Sequence, residues 1–328
     1  MQVKLKLYIA DISGLFGENQ AYPALQRLLA LGRHAILHEA LPVVLCREFG
    51  LQTPPADWPL AALSWLGEGG NPAQAYWLQA DPVHLALQRD SFSLAAPVPL
   101  PLSRQQAEGL MADLNRHFAD DGLQFHLGRS HAGHGGRWYL QLPAAPDLRT
   151  CLPQQVMGRD IQPWLPQGRD AAHWRGIVNE IQMLLHEHAI NQVRDASGDL
   201  AMNSIWLSGG GVLPVVPSAL RYQVYSDMPL AIGLARAAGL PCQELPDNIR
   251  PLLATAAPAG DTLLVLDDLV QAERQWFVPL VGALRSRSIS RVDLYFAVRD
   301  KVLEVQVNRY DLLKFWRGNK PLASYFPV

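Results

Sequence analysis

The sequence predicts an α/β protein in which a mostly parallel sheet is flanked by helices and interrupted by a small inserted α+β module. Short apolar strand segments alternate with helical patterns from residue 204 to residue 307, as they do in parallel sheets with crossover helices. The pattern changes between residues 78 and 149, which combine extended runs with one helix. We therefore assign residues 1–77 and 150–328 to the core and residues 78–149 to the inserted module.

The N-terminal elements follow the same strand and helix order. Residues 3–10 alternate apolar and polar side chains, which is typical of a strand and differs from a signal peptide. Residues 22–31 place leucines at helical spacing, and this helix should end at Gly32. No apolar run approaches the roughly 20 residues needed to cross a bilayer, so we expect no membrane association.

The inserted module is predicted to contain one helix and two later strands. Ser103 is the expected N-cap of the helix, which then places its apolar side chains on one face. Extended runs at 123–127 and 138–142 follow, separated by a Gly/His loop. His126, His131 and His134 in or beside that loop could gather zinc, although stray histidines in a glycine-rich hairpin loop explain the pattern equally.

The C-terminal half begins with the strongest helical pattern in the chain, over residues 171–188. The remaining predicted elements are strand 204–207, a glycine turn, strand 223–225, helix 229–238, strand 262–266, helix 273–284, and strands 291–298 and 302–307. Their order predicts a mostly parallel sheet with an antiparallel edge.

The composition argues against several classes of protein without excluding a local nucleic-acid surface. A formal net charge of -2 provides no overall field to attract nucleic acid or an anionic membrane. Three cysteines are an odd number and too few for a disulfide framework, which favours a reducing compartment and a cytoplasmic location. Residues 285–320 hold nine Lys/Arg against four Asp/Glu with interleaved aromatic residues, as nucleic-acid surfaces do, but strand alternation explains this segment as well.

One stretch resembles a known family over a long series of residues. The corresponding residues are Arg159-Asp160, Leu165-Pro166-Gln167-Gly168, His188-Ala189-Ile190-Asn191, Arg194, Gly198, Met202-Asn203, the glycines 209–211 and Pro214. In this order and spacing the stretch resembles archaeal-type, cofactor-independent phosphoglycerate mutases of the alkaline phosphatase superfamily. The resemblance implies an alkaline-phosphatase-like core with an inserted module.

The whole chain also resembles a bacterial family of Rpf E-type regulatory proteins, which are relatives of these mutases. This resemblance rests on phrases such as residues 76–85, Tyr-Trp-Leu-Gln-Ala-Asp-Pro-Val-His-Leu, and residues 225–231, Tyr-Ser-Asp-Met-Pro-Leu-Ala. It implies a regulatory role with a protein partner or a small ligand.

The mutase chemistry that the first resemblance implies needs two metal ions and a serine nucleophile. Family histidine ligands lie late in the chain, whereas all ten histidines of this sequence lie at or before His188. Asp267 and Asp268 end a predicted strand, but no histidine follows them. The expected nucleophile segment, residues 40–47, contains no Ser or Thr, and its Cys46 has the apolar neighbours of a buried structural cysteine. We therefore predict no catalytic residue, no metal site and no cofactor.

The retained family residues predict a remnant ligand pocket instead. We assign to it a set of polar residues and glycines: His188, Asn191, Arg194, Asn203, Gly209, Gly210, Gly211 and Asp160. The guanidinium of Arg194 and the glycine N–H groups suit a small anion or a phosphorylated metabolite. An internal network joining Arg194 to Asp160 or Asp195 would account for the same residue types.

The sequence thus predicts a non-catalytic, mutase-like regulatory or binding protein. Two alternatives stay open: an active metal-dependent phosphoglycerate mutase or phosphohydrolase, and a nucleic-acid-associated module.

Overall fold

The computed structural model describes residues 4–16, 21–54, 56–129, 136–218, 220–254, 261–266, 269, 271–314 and 316–326. Its strands are β1 (Lys4–Ile9), β2 (Arg33–Leu37), β3 (Tyr76–Val83), β4 (Leu85–Leu87), β5 (Phe92–Leu94), β6 (Gln124–Leu127), β7 (Trp138–Leu142), β8 (Ser204–Gly211), β9 (Tyr222–Ser226), β10 (Cys242–Gln243), β11 (Asp261–Leu266), β12 (Arg291–Val298) and β13 (Lys301–Asn308). Its α-helices are α1 (Pro23–Leu31), α2 (Leu41–Glu48), α3 (Leu60–Gly67), α4 (Arg104–His117), α5 (Pro153–Val156), α6 (Ala171–His186), α7 (Ala189–Ser197), α8 (Pro229–Ala237), α9 (Arg250–Ala254) and α10 (Val278–Ser286). None of these helices is both long and apolar enough to cross a bilayer.

The chain forms two units, residues 1–51 with 216–328 and residues 52–215. These bounds differ from the predicted insertion of residues 78–149, because the second unit also includes α3 before the predicted module and α6 to β8 after it. Helix α6 belongs there because its apolar face, with Trp174, Ile177 and Ile181, packs in the core of that unit.

The unit of residues 1–51 and 216–328 contains a seven-stranded sheet in the order β10-β9-β11-β1-β12-β13-β2. The first five strands in this order, from β10 through β9, β11 and β1 to β12, are parallel. Strand β13 pairs antiparallel with β12, and β2 pairs antiparallel with β13 at the edge of the sheet. This confirms the predicted mostly parallel sheet with its antiparallel edge. The edge strand β2 was not predicted. It has only five residues, and most of them are exposed, so it lacks the apolar pattern of a buried strand.

Alternation along β1 gives this sheet two different faces. Leu7 and Ile9 are fully buried on one face, in a core that includes residues of α1 and α10. On the other face the ring of Tyr8 stacks on Tyr295 at 4.3 Å between centroids, and its hydroxyl donates to Glu48 at 3.0 Å. Helix α2 thus covers a partly polar face and α1 covers an apolar one.

The unit of residues 52–215 contains a four-stranded antiparallel sheet in the order β6-β7-β3-β8. Helices α4 and α6 cover one face with leucines and aromatic side chains. The predicted N-cap of α4 is confirmed: the Ser103 hydroxyl accepts from the Gln106 N–H at 3.2 Å, and Gln106 Oε1 accepts from the Ser103 N–H at 3.0 Å. Strands β6 and β7 confirm the two runs predicted around the Gly/His loop.

Candidate functional site

Helix α7 carries two of the predicted ligand residues, Asn191 and Arg194, and a third, His188, is its N-cap. The Nδ1 atom of His188 accepts from the Ile190 N–H at 3.2 Å, so the proton of a neutral ring lies on Nε2. That nitrogen donates to Asp113 on α4 at 3.0 Å. His188 also lines a cavity of about 320 Å³ together with Arg116 and His117. It is therefore placed where a ligand could reach it.

Asn191 is buried, and its whole amide is engaged by backbone groups. Its Nδ2 donates to the carbonyls of Leu185 at 2.8 Å and Met202 at 2.7 Å, and its Oδ1 accepts from the Met202 N–H at 2.9 Å. These bonds join the end of α6 to the segment that leads into β8. The side chain has a structural role that needs no ligand.

Arg194 is also buried, at 4% exposure, and its guanidinium is bound within the protein. Nε donates to the Leu200 carbonyl at 2.8 Å, and Nη1 donates to Gln106 Oε1 at 3.2 Å. Because Gln106 is part of the α4 capping box, Arg194 ties α7 to the start of α4. An internal network of this kind was the alternative to a ligand, with Leu200 and Gln106 as partners in place of Asp160 or Asp195.

Asn203 and Asp160 lie in other networks of the same unit. The Asn203 amide makes a pair of hydrogen bonds with the backbone of Leu85, accepting at 2.7 Å and donating at 3.0 Å. Asp160 forms an isolated bridge with Ser93, and its Oδ1 accepts from the Gln162 N–H at 3.1 Å. The structure therefore distributes the predicted residues over several local networks.

The three glycines were predicted to form a turn, and that prediction is wrong: they continue strand β8 to its end. The pairing with β3 shifts register between Trp77 and Gln79, which is a β-bulge, and Gly209 there has φ of +64°. A Cβ on Gly210 would lie 2.5 Å from the Tyr76 hydroxyl, and one on Gly211 would lie 2.6 Å from Pro59 Cβ. Packing against neighbouring segments requires glycine at these positions.

An internal carboxylate occupies the position next to the glycine N–H groups. The backbone N–H of Gly210 donates to Asp57, whose two carboxylate oxygens each accept from the Thr150 N–H at 3.0 Å. The Thr150 hydroxyl donates to the same carboxylate. Burial raises the pKa of Asp57, against the opposing effect of these hydrogen bonds and the charge of Arg149. The predicted anion contact of the glycine stretch is thus made within the protein.

Asp57 was not predicted as a site residue, because it lies in a Pro- and Trp-rich segment with no recognisable pattern. The partner Thr150 is 93 residues away in sequence. Asp57 and the glycines 209–211 are more than 150 positions apart, so no local sequence signal connects them.

A second candidate region is the carboxyl end of the parallel strands, where α/β sheets commonly place their sites. Asp11 follows β1, and its carboxylate accepts from the Ser13 N–H and hydroxyl, each at 2.7 Å. Asp227 follows β9 and accepts from the Leu245 N–H at 3.4 Å. Asp267 and Asp268 lie outside the described residues.

The donor set in the described part of the chain does not fit the two-metal chemistry of a mutase. No three His, Cys, Asp or Glu side chains among the described residues are close enough to hold a metal ion. Cys46, which stands in the expected nucleophile segment, is 0% exposed on α2, and burial raises the pKa of its thiol. A buried thiol of raised pKa is a poor nucleophile.

The predicted histidine series is described only in part, because His131 and His134 lie outside the described residues. The ring of His126 lies 5.2 Å from that of Trp65 and 5.1 Å from that of Trp77. Its Nε2 is 3.2 Å from Gln141 Oε1, and burial lowers its pKa. This environment favours a neutral, packed imidazole.

The fold and this site define an α/β protein with a mostly parallel sheet and a second, antiparallel unit. No family model matches the chain. The chain is 33% identical over 117 residues to a 2,3-bisphosphoglycerate-independent phosphoglycerate mutase of Methanothrix thermoacetophila, covering 34% of this chain and 30% of the relative. A mutase of the same description from Methanosarcina mazei is 24% identical over 149 residues, covering 42% and 36%. Over this segment, which spans about a third of the relatives' length, the chain is homologous to archaeal cofactor-independent phosphoglycerate mutases.

Two solved structures align along most of the chain. A cofactor-independent phosphoglycerate mutase from Thermoplasma acidophilum is 17% identical, with 99% of this chain and 95% of that one covered and a TM-score of 0.45. The PH0037 protein from Pyrococcus horikoshii is 13% identical, with 94% and 87% covered and a TM-score of 0.49.

Proposed function

We propose that this chain is a non-catalytic, phosphoglycerate-mutase-like regulatory or binding protein of the Rpf E type, acting in the bacterial cytoplasm. The observation that carries the proposal is the buried face of α2, in the segment where the mutase resemblance leads us to expect the nucleophile. Val43, Val44 and Cys46 are all buried there, and no hydroxyl side chain is present. Without an exposed nucleophile, a phosphoserine intermediate cannot form in this segment.

The proposed ligand is a small phosphorylated or anionic molecule bound near α7. Support comes from the cavity of about 320 Å³, which brings His188, Arg116 and His117 together. Asp113 also lines this cavity and partly offsets the positive charge, since it bonds to both His188 and Arg116. Asn191 would support the pocket wall through its bond to the lining residue Leu185, and Arg194 through its bond to Gln106 on α4. Asn203 bonds with Leu85, which is not a lining residue of this cavity.

Calorimetry with 3-phosphoglycerate as the probe tests the ligand. Wild type should bind the probe, and His188→Gln and Arg194→Ala should weaken binding. Arg175→Ala, which removes an exposed charge on α6, is the matched control and should leave binding unchanged. A ligand at one hundred times its dissociation constant stabilises a protein by about 2.7 kcal/mol, so thermal unfolding gives a second readout. If the probe fails to bind wild type, or binds all variants equally, the polar cluster around α7 is scaffold only.

Elemental analysis distinguishes the proposal from a metal-dependent phosphohydrolase. Purified protein should carry less than one tightly bound transition metal per chain. Stoichiometric zinc that is lost on substitution of His131 and His134 would contradict this expectation.

A further inference from the structure

A basic cavity lies in the unit of residues 1–51 and 216–328, where α1 ends and β2 begins. Its volume is about 590 Å³. Three permanently charged side chains line it, Arg33, Arg317 and Lys320, together with His34 and Tyr325. No Asp or Glu is among its described lining residues. The positive charge of this cavity is therefore not neutralised at its wall.

Two of the basic side chains have an internal role at the end of α1. His34 Nε2 donates to the Leu29 carbonyl at 2.7 Å, and Arg317 Nη1 donates to the Gly32 carbonyl at 3.3 Å. Carbonyls at a helix end lack partners within the helix, and cationic donors commonly bind them. Capping explains the positions of His34 and Arg317.

Capping does not explain Arg33 and Lys320. In the described part of the chain, the side chains of both residues form neither a hydrogen bond nor an ion pair. The backbone N–H of Lys320 donates to the Tyr325 hydroxyl at 3.1 Å, which fixes this residue at the cavity wall. Like charges collected in one concave surface repel each other and concentrate anions from solution.

We infer that this cavity binds a small molecule with at least two negative charges, of the phosphate-ester or pyrophosphate class. Its volume is in the range of small-molecule sites. A guanidinium presents paired N–H donors that match phosphate oxygens, and the Lys320 ammonium adds a point charge. The Tyr325 oxygen accepts from the Lys320 N–H, which leaves its own O–H to donate to a ligand oxygen.

Calorimetric titration with pyrophosphate at constant ionic strength tests this site. Wild type should bind saturably, and Arg33→Ala and Lys320→Ala should each weaken binding about tenfold, as expected for loss of one charge-assisted hydrogen bond. Arg221→Ala removes an exposed charge of the same unit outside the cavity and should have no effect. His188→Gln should also leave pyrophosphate affinity unchanged, so this test is independent of the ligand proposed near α7.

Lysine acetylation followed by mass spectrometry gives a readout that does not depend on binding heat. Pyrophosphate should protect Lys320 from acetylation and leave Lys4 reactive. The inference is overturned if wild type does not bind pyrophosphate, or if the cavity variants bind it as wild type does. It is also overturned if a single-stranded oligonucleotide displaces pyrophosphate at lower phosphate concentration, because the surface would then be a nucleic-acid site.

Discussion

Asn191 and Met202 form a closed pair of hydrogen bonds, in which the side-chain amide pairs with the backbone N–H and carbonyl of Met202 at 2.9 and 2.7 Å. The amide thereby acts as a short piece of backbone that joins α7 to the segment before β8. With its third bond, to the Leu185 carbonyl, the buried Asn191 side chain also binds the last turn of α6.

Replacing this amide should destabilise the protein without any ligand present. Asn191→Ala leaves the buried N–H and carbonyl of Met202 without their side-chain partner, whereas the Leu185 carbonyl keeps its bond from the His188 N–H. We expect a loss of about 2–4 kcal/mol in the free energy of unfolding. Val193→Ala, at a 62% exposed position of the same helix, should change it by less than about 0.5 kcal/mol. Urea unfolding measures both. Equal stability of Asn191→Ala and wild type would contradict the structural role.

The glycines of β8 provide a second test, which asks whether packing within the protein, and not a ligand, requires glycine at these positions. Gly210→Ala forces a Cβ to within 2.5 Å of the Tyr76 hydroxyl and 2.9 Å of Leu78 Cδ2, and should cost about 1–3 kcal/mol of unfolding free energy. Gly176→Ala is the matched control, since nothing lies within 4 Å of its Cβ on the exposed side of α6. It should stabilise the helix by about 0.5–1 kcal/mol. The same sign for both substitutions would refute the packing argument.

Asp81 and Asp113 should affect the pH dependence of stability in opposite directions. Burial raises the pKa of Asp81, whose Oδ1 has no hydrogen-bond partner among the described residues and whose Oδ2 is 3.7 Å from Arg137 Nη1. Its contribution to stability is therefore complete below its ordinary pKa of about 3.9 and is lost as pH rises through the raised value. Relative to wild type, Asp81→Asn should become more stable as pH rises from 4 to 7.

For Asp113, hydrogen bonds from His188 and Arg116 lower the pKa of the carboxyl. Its contribution is present above the ordinary pKa of Asp and is lost as pH falls through the lowered value. Asp113→Asn should be less stable than wild type at pH 7, and this difference should shrink as pH falls below about 4. Thermal unfolding across this range measures both variants, and parallel pH profiles for the two would contradict the assigned environments.

Cys46 should be unreactive in the folded protein. It is fully buried and burial raises the pKa of its thiol, whereas Cys151 and Cys242 are half-buried. With a disulfide reagent at neutral pH, Cys46 should react only after denaturant is added. Rapid modification of Cys46 in the native state, identified by mass spectrometry, would show that this thiol is accessible and could act as a nucleophile.

The sequence predicted those features that depend on local spacing. The helix capped by Ser103 and the long apolar face of α6 follow from residues within one or two turns of each other. Strand β7 was predicted at its observed bounds for the same reason.

Features that depend on partners distant in sequence could not be predicted from local spacing. Glycine runs usually form turns, but Pro59 and Tyr76, more than 130 positions away, require glycine in strand β8. Arg194 has the residue type of an anion ligand, yet its partner Gln106 is 88 positions away in sequence. Spacing alone cannot distinguish an anion ligand from an internal bond of this kind.

Phosphoglycerate mutase activity of purified protein, assayed with manganese, magnesium, zinc or cobalt supplied in turn, is the most direct test of the proposal that the chain is non-catalytic. We expect no turnover above a metal-free blank, because the described residues provide no metal-binding set and α2 provides no exposed nucleophile. Asp11→Ala and Asp267→Ala serve as controls for activity that arises at the carboxyl end of the sheet. Metal-dependent turnover by wild type that is lost in either variant would show that the chain is an active mutase.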